Sequence, residues 1–205
     1  MIHATSESHP IRVDVVTDLA LPGRLGLTLA PGKRVVGTIT PWSWERDLET
    51  DLLDLRLRFG TDVLVSLLRP YEHELLGIRE LGERARRHGM EVLSFGIDDM
   101  SVPRPSEQAA FQQLIAGLHD ELAAGRNVTV HCRGGLGRSG LVAACVLIQG
   151  GATPASAIDR VRRHRPGAIQ TREQLRYVRD FGDVRTLGAA FGRGPSPGHA
   201  PSAGG

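Results

Sequence analysis

Cysteine is scarce in this sequence, with two among 205 residues. Two thiols cannot staple a small disulfide-rich scaffold, and they cannot supply a four-cysteine zinc site. An excess of one charge is missing as well. Lys and Arg number 25 against 23 Asp and Glu, a formal net charge of +2. That is too little for a chain that coats a polyanion, so no nucleic-acid partner is expected. No apolar run exceeds Leu141–Ile148, far short of a membrane span, and no membrane partner is expected. The opening residues, MIHATSESHP, hold neither a basic n-region nor an apolar h-region, so the expected location is cytoplasmic. The eight histidines form no i,i+4 pair and no cluster with cysteine, which predicts no metal and no cofactor. Lysine is nearly absent: Lys33 stands alone among arginines. Such a bias accompanies GC-rich coding, and it also suits oxyanions, to which Arg presents a planar fork.

What the chain does contain is alternation. Val35–Ile39 reads as a short strand and Leu48–Phe59 as a helix, with Leu48, Leu52, Leu55 and Phe59 on one face. Asp62–Leu67 is an apolar, β-branched run and predicts a buried strand. Glu74–His88 repeats the helical period, with Gly89 as its stop. Glu91–Phe95 reads as a strand, Ser106–Ala124 as a helix capped by Ser106 and stopped by Gly125, and Asn127–His131 as a strand. Three helices follow, over Ser139–Ile148, Pro154–His164 and Thr171–Leu187. Strand and helix in turn predict an α/β sandwich, a largely parallel central sheet flanked by helices. Residues 1–12 are expected to form a flexible N-terminus, residues 13–188 one domain, and the Gly/Pro/Ser-rich residues 189–205 a disordered tail.

The informative segment is His131-Cys132-Arg133-Gly134-Gly135-Leu136-Gly137-Arg138-Ser139. A strand ends, a Cys follows, and five residues on come an Arg, a Ser and an apolar helix. Three of those five are Gly. A glycine-rich turn between strand and helix lets backbone amides converge, and with the helix N-terminus they cradle a tetrahedral oxyanion. Cys132 then lies on the floor of that cradle, in a field that favours its thiolate and lowers its pKa below the usual value near 8.5. Arg138 closes the ring by holding two phosphate oxygens. A thiolate under a phosphate monoester is set for in-line attack, giving a phosphocysteine intermediate. Ser139 can donate a hydrogen bond to Cys132 and ease the departure of sulfur. His131 orients the loop through its backbone rather than acting as a base. Cys145, within LVAACVLI, belongs to the core.

HCRGGLGRS resembles the HCxxGxxR[ST] signature of the cysteine-dependent protein tyrosine and dual-specificity phosphatases. Residues 128–181 resemble the C-terminal half of the kinase-associated phosphatases, of the cyclin-dependent kinase inhibitor 3 type, through GGLGRS, LVAAC and AIQT. The resemblance implies a protein-tyrosine-phosphatase-like fold. It also implies a general acid on a loop, which the segment Ile97-Asp98-Asp99-Met100-Ser101-Val102-Pro103 matches at Asp99, with Asp98 as the alternative; both also suit a turn leading into the helix at Ser106. Ile169-Gln170-Thr171 resembles the glutamine loop of tyrosine phosphatases, which implies that Gln170 positions the hydrolytic water; Thr171 also suits a helix N-cap. The implied partner is a phosphorylated protein carrying phosphotyrosine, with phosphoserine and phosphothreonine left open. Two other readings compete. One is a phosphoinositide or inositol phosphate phosphatase, against which stand the apolar Leu136 in the loop and the lack of a polybasic patch. The other is a non-catalytic pseudophosphatase, which would lack Cys, Arg or Asp. A rhodanese-type sulfurtransferase fits Arg138, Ser139 and the apolar helix poorly.

Other charged groups are left open. Arg69, Glu72 and Glu74 either border the pocket or are loop charges. Arg162-Arg163-His164-Arg165 reads as a solvated helix end. Trp42 and Trp44 are expected in a proline-led turn, packing on the core or a lid.

Overall fold

The computed structural model describes residues 2–17, 20–35 and 42–191. Its centre is a five-stranded sheet in the order β2(Asp14–Val16), β3(Leu25–Thr28), β8(Val128–His131), β6(Val63–Ser66), β7(Glu91–Ser94). All neighbours run parallel except β2 on β3. A second, three-stranded sheet joins β1(Ile2–Ala4), β5(Trp42–Glu45) and β4(Arg34–Val35). The helices are α1(Leu48–Leu57), α2(Pro70–Leu75), α3(Leu81–Arg87), α4(Gln108–Ala123), α5(Gly137–Gln149), α6(Pro154–His164) and α7(Arg172–Phe191). This is the α/β sandwich that the alternation predicts.

The period of two along the strands feeds two cores. Val63 and Val65 of β6, Val128 and Val130 of β8, and Leu25 and Leu27 of β3 face the larger core, with Phe111 and Ile115 of α4 and with α5. Leu64 points the other way, to Leu52 and Leu55 of α1 and Leu81 and Ala85 of α3. α5 lies buried from Gly137 to Ile148; its run Leu141–Ile148 is apolar on every face, as a core helix is. Cys145 is among those buried residues, and burial pushes its thiol well up.

Several expectations are corrected. The helix expected over Glu74–His88 is two, because the chain turns through Gly77 at φ 69°. Ser106 is no N-cap; it lies in a 3-10 turn over Pro105–Glu107, where the Glu107 carboxylate accepts the Arg104 N–H at 3.0 Å. Trp42 and Trp44 lie on a strand, not in a turn, and the Trp44 ring carries Lys33 on its face. Within residues 1–12, expected to be flexible, β1 pairs with β5, and Ala4 and Ile11 are buried. Of the strand expected over Val35–Ile39, only Val35 is among the described residues. In the segment expected as a tail, α7 continues to Phe191, and residues 192–205 lie outside the described ones.

Candidate active site

β8, β6, β7 and β3 end along one edge of the sheet, and each hands a loop to the same place. β8 is central there, and after His131 it delivers Cys132, which is buried, and then the glycine-rich turn. Gly135 has φ 70°, and a Cβ on it would lie 2.3 Å from the Thr28 carbonyl oxygen on β3. Only glycine fits that approach. α5 begins at Gly137, so Arg138 and Ser139 fall on its first turn.

Arg138 is 1 % exposed. Glu72 holds it with both oxygens, Nη1 to Oε2 at 2.7 Å and Nη2 to Oε1 at 3.0 Å. Nη1 also donates to the Ile97 carbonyl at 2.9 Å, and Nη2 to Asp99 Oδ1 at 2.9 Å. Burial opposes the charge, but Glu72, Cys132 and Asp99 outweigh it, and the guanidinium is held above its usual pKa. Two buried polar atoms here, Arg138 Nε and Ser139 Oγ, have no hydrogen-bond partner among the described residues, so the Ser139 hydroxyl makes no hydrogen bond to Cys132 in this structure. Buried donors normally have partners, so these two are unspent hydrogen-bond donors.

Of the charged groups left open after the buried strand, Glu72 borders the pocket. It is 3 % exposed, and its Oε2 also accepts the Arg69 N–H at 2.9 Å, closing the N-terminus of α2. Arg69-Pro70-Tyr71-Glu72 carries that capping signal, a helix start at Pro70 with an acid at its third position. Glu74, by contrast, is exposed and pairs with Arg79 at 2.9 Å.

The two aspartates part company. Asp99 reaches Arg138 and is 45 % exposed at its side chain. Asp98 instead pairs with Arg69 at 3.1 Å and Arg104 at 2.8 Å. Burial is the largest single influence and raises its pKa, but the hydrogen bonds and charges of these two arginines together outweigh it and hold the carboxyl below its usual value. Met100, next in the chain, takes φ 62° and donates its N–H to Asp99 Oδ1 at 3.1 Å.

Gln170 is exposed, and its Oε1 lies 2.9 Å from where a Cβ on Gly137 would sit, against the loop. Its neighbour Gln174 is fully buried. Gln174 Oε1 accepts the N–H groups of Gln170 and Thr171, and Nε2 donates to the Ser101 carbonyl at 3.0 Å. It thus ties the Gln170 turn to the Asp99 loop. Thr171 also caps α7, accepting the Gln174 N–H at 3.0 Å. His131 is buried without a well-formed side-chain hydrogen bond. Burial, with His73 and Arg138 nearby, pulls its pKa to about 3, so the ring is neutral.

Two arginines of the run read as a solvated helix end serve the site from outside. Arg162 donates to the carbonyls of Ala168 and Ile169, both at 3.1 Å, and Arg165 to those of Gly134 and Gly135. Lys33 reaches the Arg133 carbonyl. No local pattern announces the contacts of Arg165 and Lys33, which join segments 30 to 100 positions apart.

Known proteins resemble this chain in sequence and fold. The family model described as "Polymorphic toxin system, DSP-PTPase phosphatase" matches residues 58–152. Cyclin-dependent kinase inhibitor 3 of Rattus norvegicus is 31% identical over 162 residues, covering 78% of this chain and 72% of that protein. Protein tyrosine phosphatase domain-containing protein 1 of Mus musculus is 34% identical over 131 residues, 60% of this chain; the match spans 17% of that much longer relative. The crystal structure of kinase associated phosphatase, with its catalytic-site cysteine substituted by serine, superposes with a TM-score of 0.75 at 27% identity. The match covers 86% of this chain and 97% of that one. PTPMT1 in complex with PI(5)P shares the fold, with a TM-score of 0.64 at 22% identity over 80% of this chain and 94% of that one. No helix among the described residues is long and apolar enough to cross a membrane. The chain belongs to the dual-specificity and protein tyrosine phosphatase superfamily, with the kinase-associated phosphatases of the cyclin-dependent kinase inhibitor 3 type.

Proposed function

We propose that this chain hydrolyses phosphotyrosine in proteins through a phosphocysteine intermediate at Cys132. The observation that carries the reading is Arg138, a buried guanidinium clamped by Glu72 whose Nε has no partner among the described residues, six positions on from a buried cysteine. Such a donor suits an oxyanion.

In the first step a substrate phosphate enters the cradle of Arg133, Gly134, Gly135, Leu136 and Gly137 and displaces Asp99 from Arg138 Nη2. Cys132 Sγ attacks phosphorus in line. The Sγ–P bond forms as the bond to the leaving oxygen breaks, and that oxygen takes the proton of the Asp99 carboxyl group. In the second step Gln170 orients a water. Its oxygen attacks phosphorus, its proton passes to Asp99, and the Sγ–P electron pair returns to sulfur, which accepts a hydrogen bond from Ser139. Orthophosphate leaves. The loop amides and Arg138 carry the transition-state charge throughout.

The names of the relatives, a kinase inhibitor and a kinase associated phosphatase, support a phosphoprotein as substrate. One peptide sequence carrying phosphotyrosine, phosphoserine or phosphothreonine, assayed beside phosphoinositides, tests this. The phosphotyrosyl peptide is the expected substrate, and Cys132→Ser is expected to bind it without turnover. Hydrolysis confined to phosphoinositides transfers the reading to lipid headgroups. Binding without any hydrolysis makes the chain a phosphoprotein-binding module.

A further inference from the structure

The turn between β8 and α5 shows three successive carbonyls to the protein behind it. The Arg133 oxygen accepts the Ala30 N–H at 3.4 Å and Lys33 Nζ at 3.5 Å. The Gly134 oxygen accepts Arg165 Nη2 and the Gly135 oxygen Arg165 Nε, both at 2.9 Å. Across a planar trans peptide, the C=O of one residue points opposite to the N–H of the next. Carbonyls turned outward at 133, 134 and 135 therefore turn the amides of Gly134, Gly135 and Leu136 inward. Converging N–H dipoles repel one another, so this arrangement needs support before any anion arrives.

The two cations that give this support are themselves braced. Arg165 Nη1 pairs at 2.5 Å with Asp14 of β2, a buried carboxylate that also holds Arg12. Lys33 is 7 % exposed, and its Nζ lies 4.2 Å above the Trp44 ring. Its backbone oxygen accepts the Arg46 N–H at 3.2 Å. Arg46 forms a fully buried ion pair with Asp51, whose Oδ2 also accepts the Gly32 N–H at 2.8 Å. A salt bridge out of reach of water thus fixes the turn that carries Lys33.

We propose that Lys33 and Arg165 are positioning residues of the phosphate cradle: they hold the carbonyls of Arg133, Gly134 and Gly135 outward so that the next three amides converge, and Lys33 couples its charge to that of Cys132. This rests on the reading of Cys132 as a nucleophile beneath a phosphate. The two cations differ in chemistry. Arg165 presents a planar fork that spans two carbonyls. Lys33 is a single ammonium: burial pulls its pKa to about 8, Arg46, Arg133 and Arg165 press it the same way, and Cys132 alone among these charges opposes them. The Trp44 face completes its surroundings.

Because Lys33 is the only lysine in the chain, 13C-lysine labelling of the full protein gives one side-chain signal to titrate by NMR. Coupling between two charges is reciprocal. If Lys33 supports the thiolate, Cys132→Ser lowers the Lys33 midpoint below about 8, and vanadate bound to the unaltered chain raises it. A midpoint that moves in neither case overturns the coupling, whatever the substitutions at Lys33 do to folding. Lys33→Met and Arg165→Met are each expected to weaken vanadate binding roughly tenfold, the size of one charge-assisted hydrogen bond. Lys33→Arg restores the affinity, while Arg165→Lys does not, since one ammonium cannot span two carbonyls as a guanidinium does. Folded Lys33→Met and Arg165→Met proteins that bind vanadate as the unaltered chain does overturn the proposal. None of these readouts requires turnover. A chain that shows them and leaves phosphopeptides intact refutes the phosphatase reading alone, and an active chain that lacks them refutes this one alone.

Discussion

Asp98 and Asp99 stand side by side in the chain and face different partners. Asp98 is spent on Arg69 and Arg104, which tie the loop to the start of α2 and to the turn before α4, while Asp99 reaches Arg138 and remains partly open to solvent. The difference predicts two distinct kinetic defects. Asp99→Asn is expected to lower turnover by about 10²–10⁴-fold, the usual share of one general acid. The loss should be greatest on alkyl phosphates, whose leaving oxygens need the proton most. Asp98→Asn is expected to loosen the loop and lower turnover on all esters alike. A leaving-group series run on both variants checks this, and a leaving-group dependence found in Asp98→Asn instead would reassign the acid. Glu72 teaches a different lesson at the same scale. It and Arg138 are 66 positions apart, and no local pattern in the sequence joins them.

The element that matters most is the turn from β8 into α5, and its glycines are not equivalent. A Cβ on Gly134 meets nothing within 4 Å, whereas one on Gly135 runs into the backbone of β3. Gly134→Ala is therefore expected to leave stability within about 0.5 kcal/mol, as surface changes usually do. Gly135→Ala is expected to cost more than about 1–2 kcal/mol, because strain at positive φ adds to the clash, and to weaken vanadate binding with it. Urea titration and vanadate affinity of both variants check the contrast; equal behaviour would contradict the geometry. Elements that sit on contiguous patterns were legible: α1, β6, β7, β8, α6 and α7 fall close to their expected ranges. The run Cys132–Ser139 was legible for the same reason, since strand, turn and helix start are consecutive. β3 was not. Its Leu25-Gly26-Leu27-Thr28 is buried throughout and has too little alternation to announce a strand. β1, β2 and β5 are three or four residues long and are defined by distant partners. Lys33 and Arg165 belong with them, because their roles come from carbonyls 100 and about 30 residues away.

Across the whole molecule, one sheet edge gathers the site, and the strand that leads into it also carries a proton-sensitive group. His131 lies at the buried end of β8, between β3 and β6, and burial lowers its pKa from 6.5 to about 3. Between those values the unfolded chain binds a proton at this ring and the folded chain does not. Stability therefore rises with pH across that window and falls as pH drops from 6.5 toward 3. The slope from this one group is about 1.4 kcal/mol per pH unit. Glu107 and Asp98, held low chiefly by Arg69 with Arg104, add to the loss at the acid end. Denaturation curves at pH 7, 5.5 and 4.5 for the unaltered chain and for His131→Gln check the assignment, with a flatter dependence expected in the variant. Equal slopes would mean that the ring is protonated inside the fold.

A covalent bond between phosphorus and one sulfur is the claim on which the functional account depends. Gln170→Ala, mixed with p-nitrophenyl phosphate and quenched within the first turnovers, should accumulate that species. The account predicts a burst of p-nitrophenol equal to the enzyme present and, by mass spectrometry, one phosphoryl group on the peptide containing Cys132. Turnover with no phosphoryl group on Cys132, or with one on another residue, would contradict it.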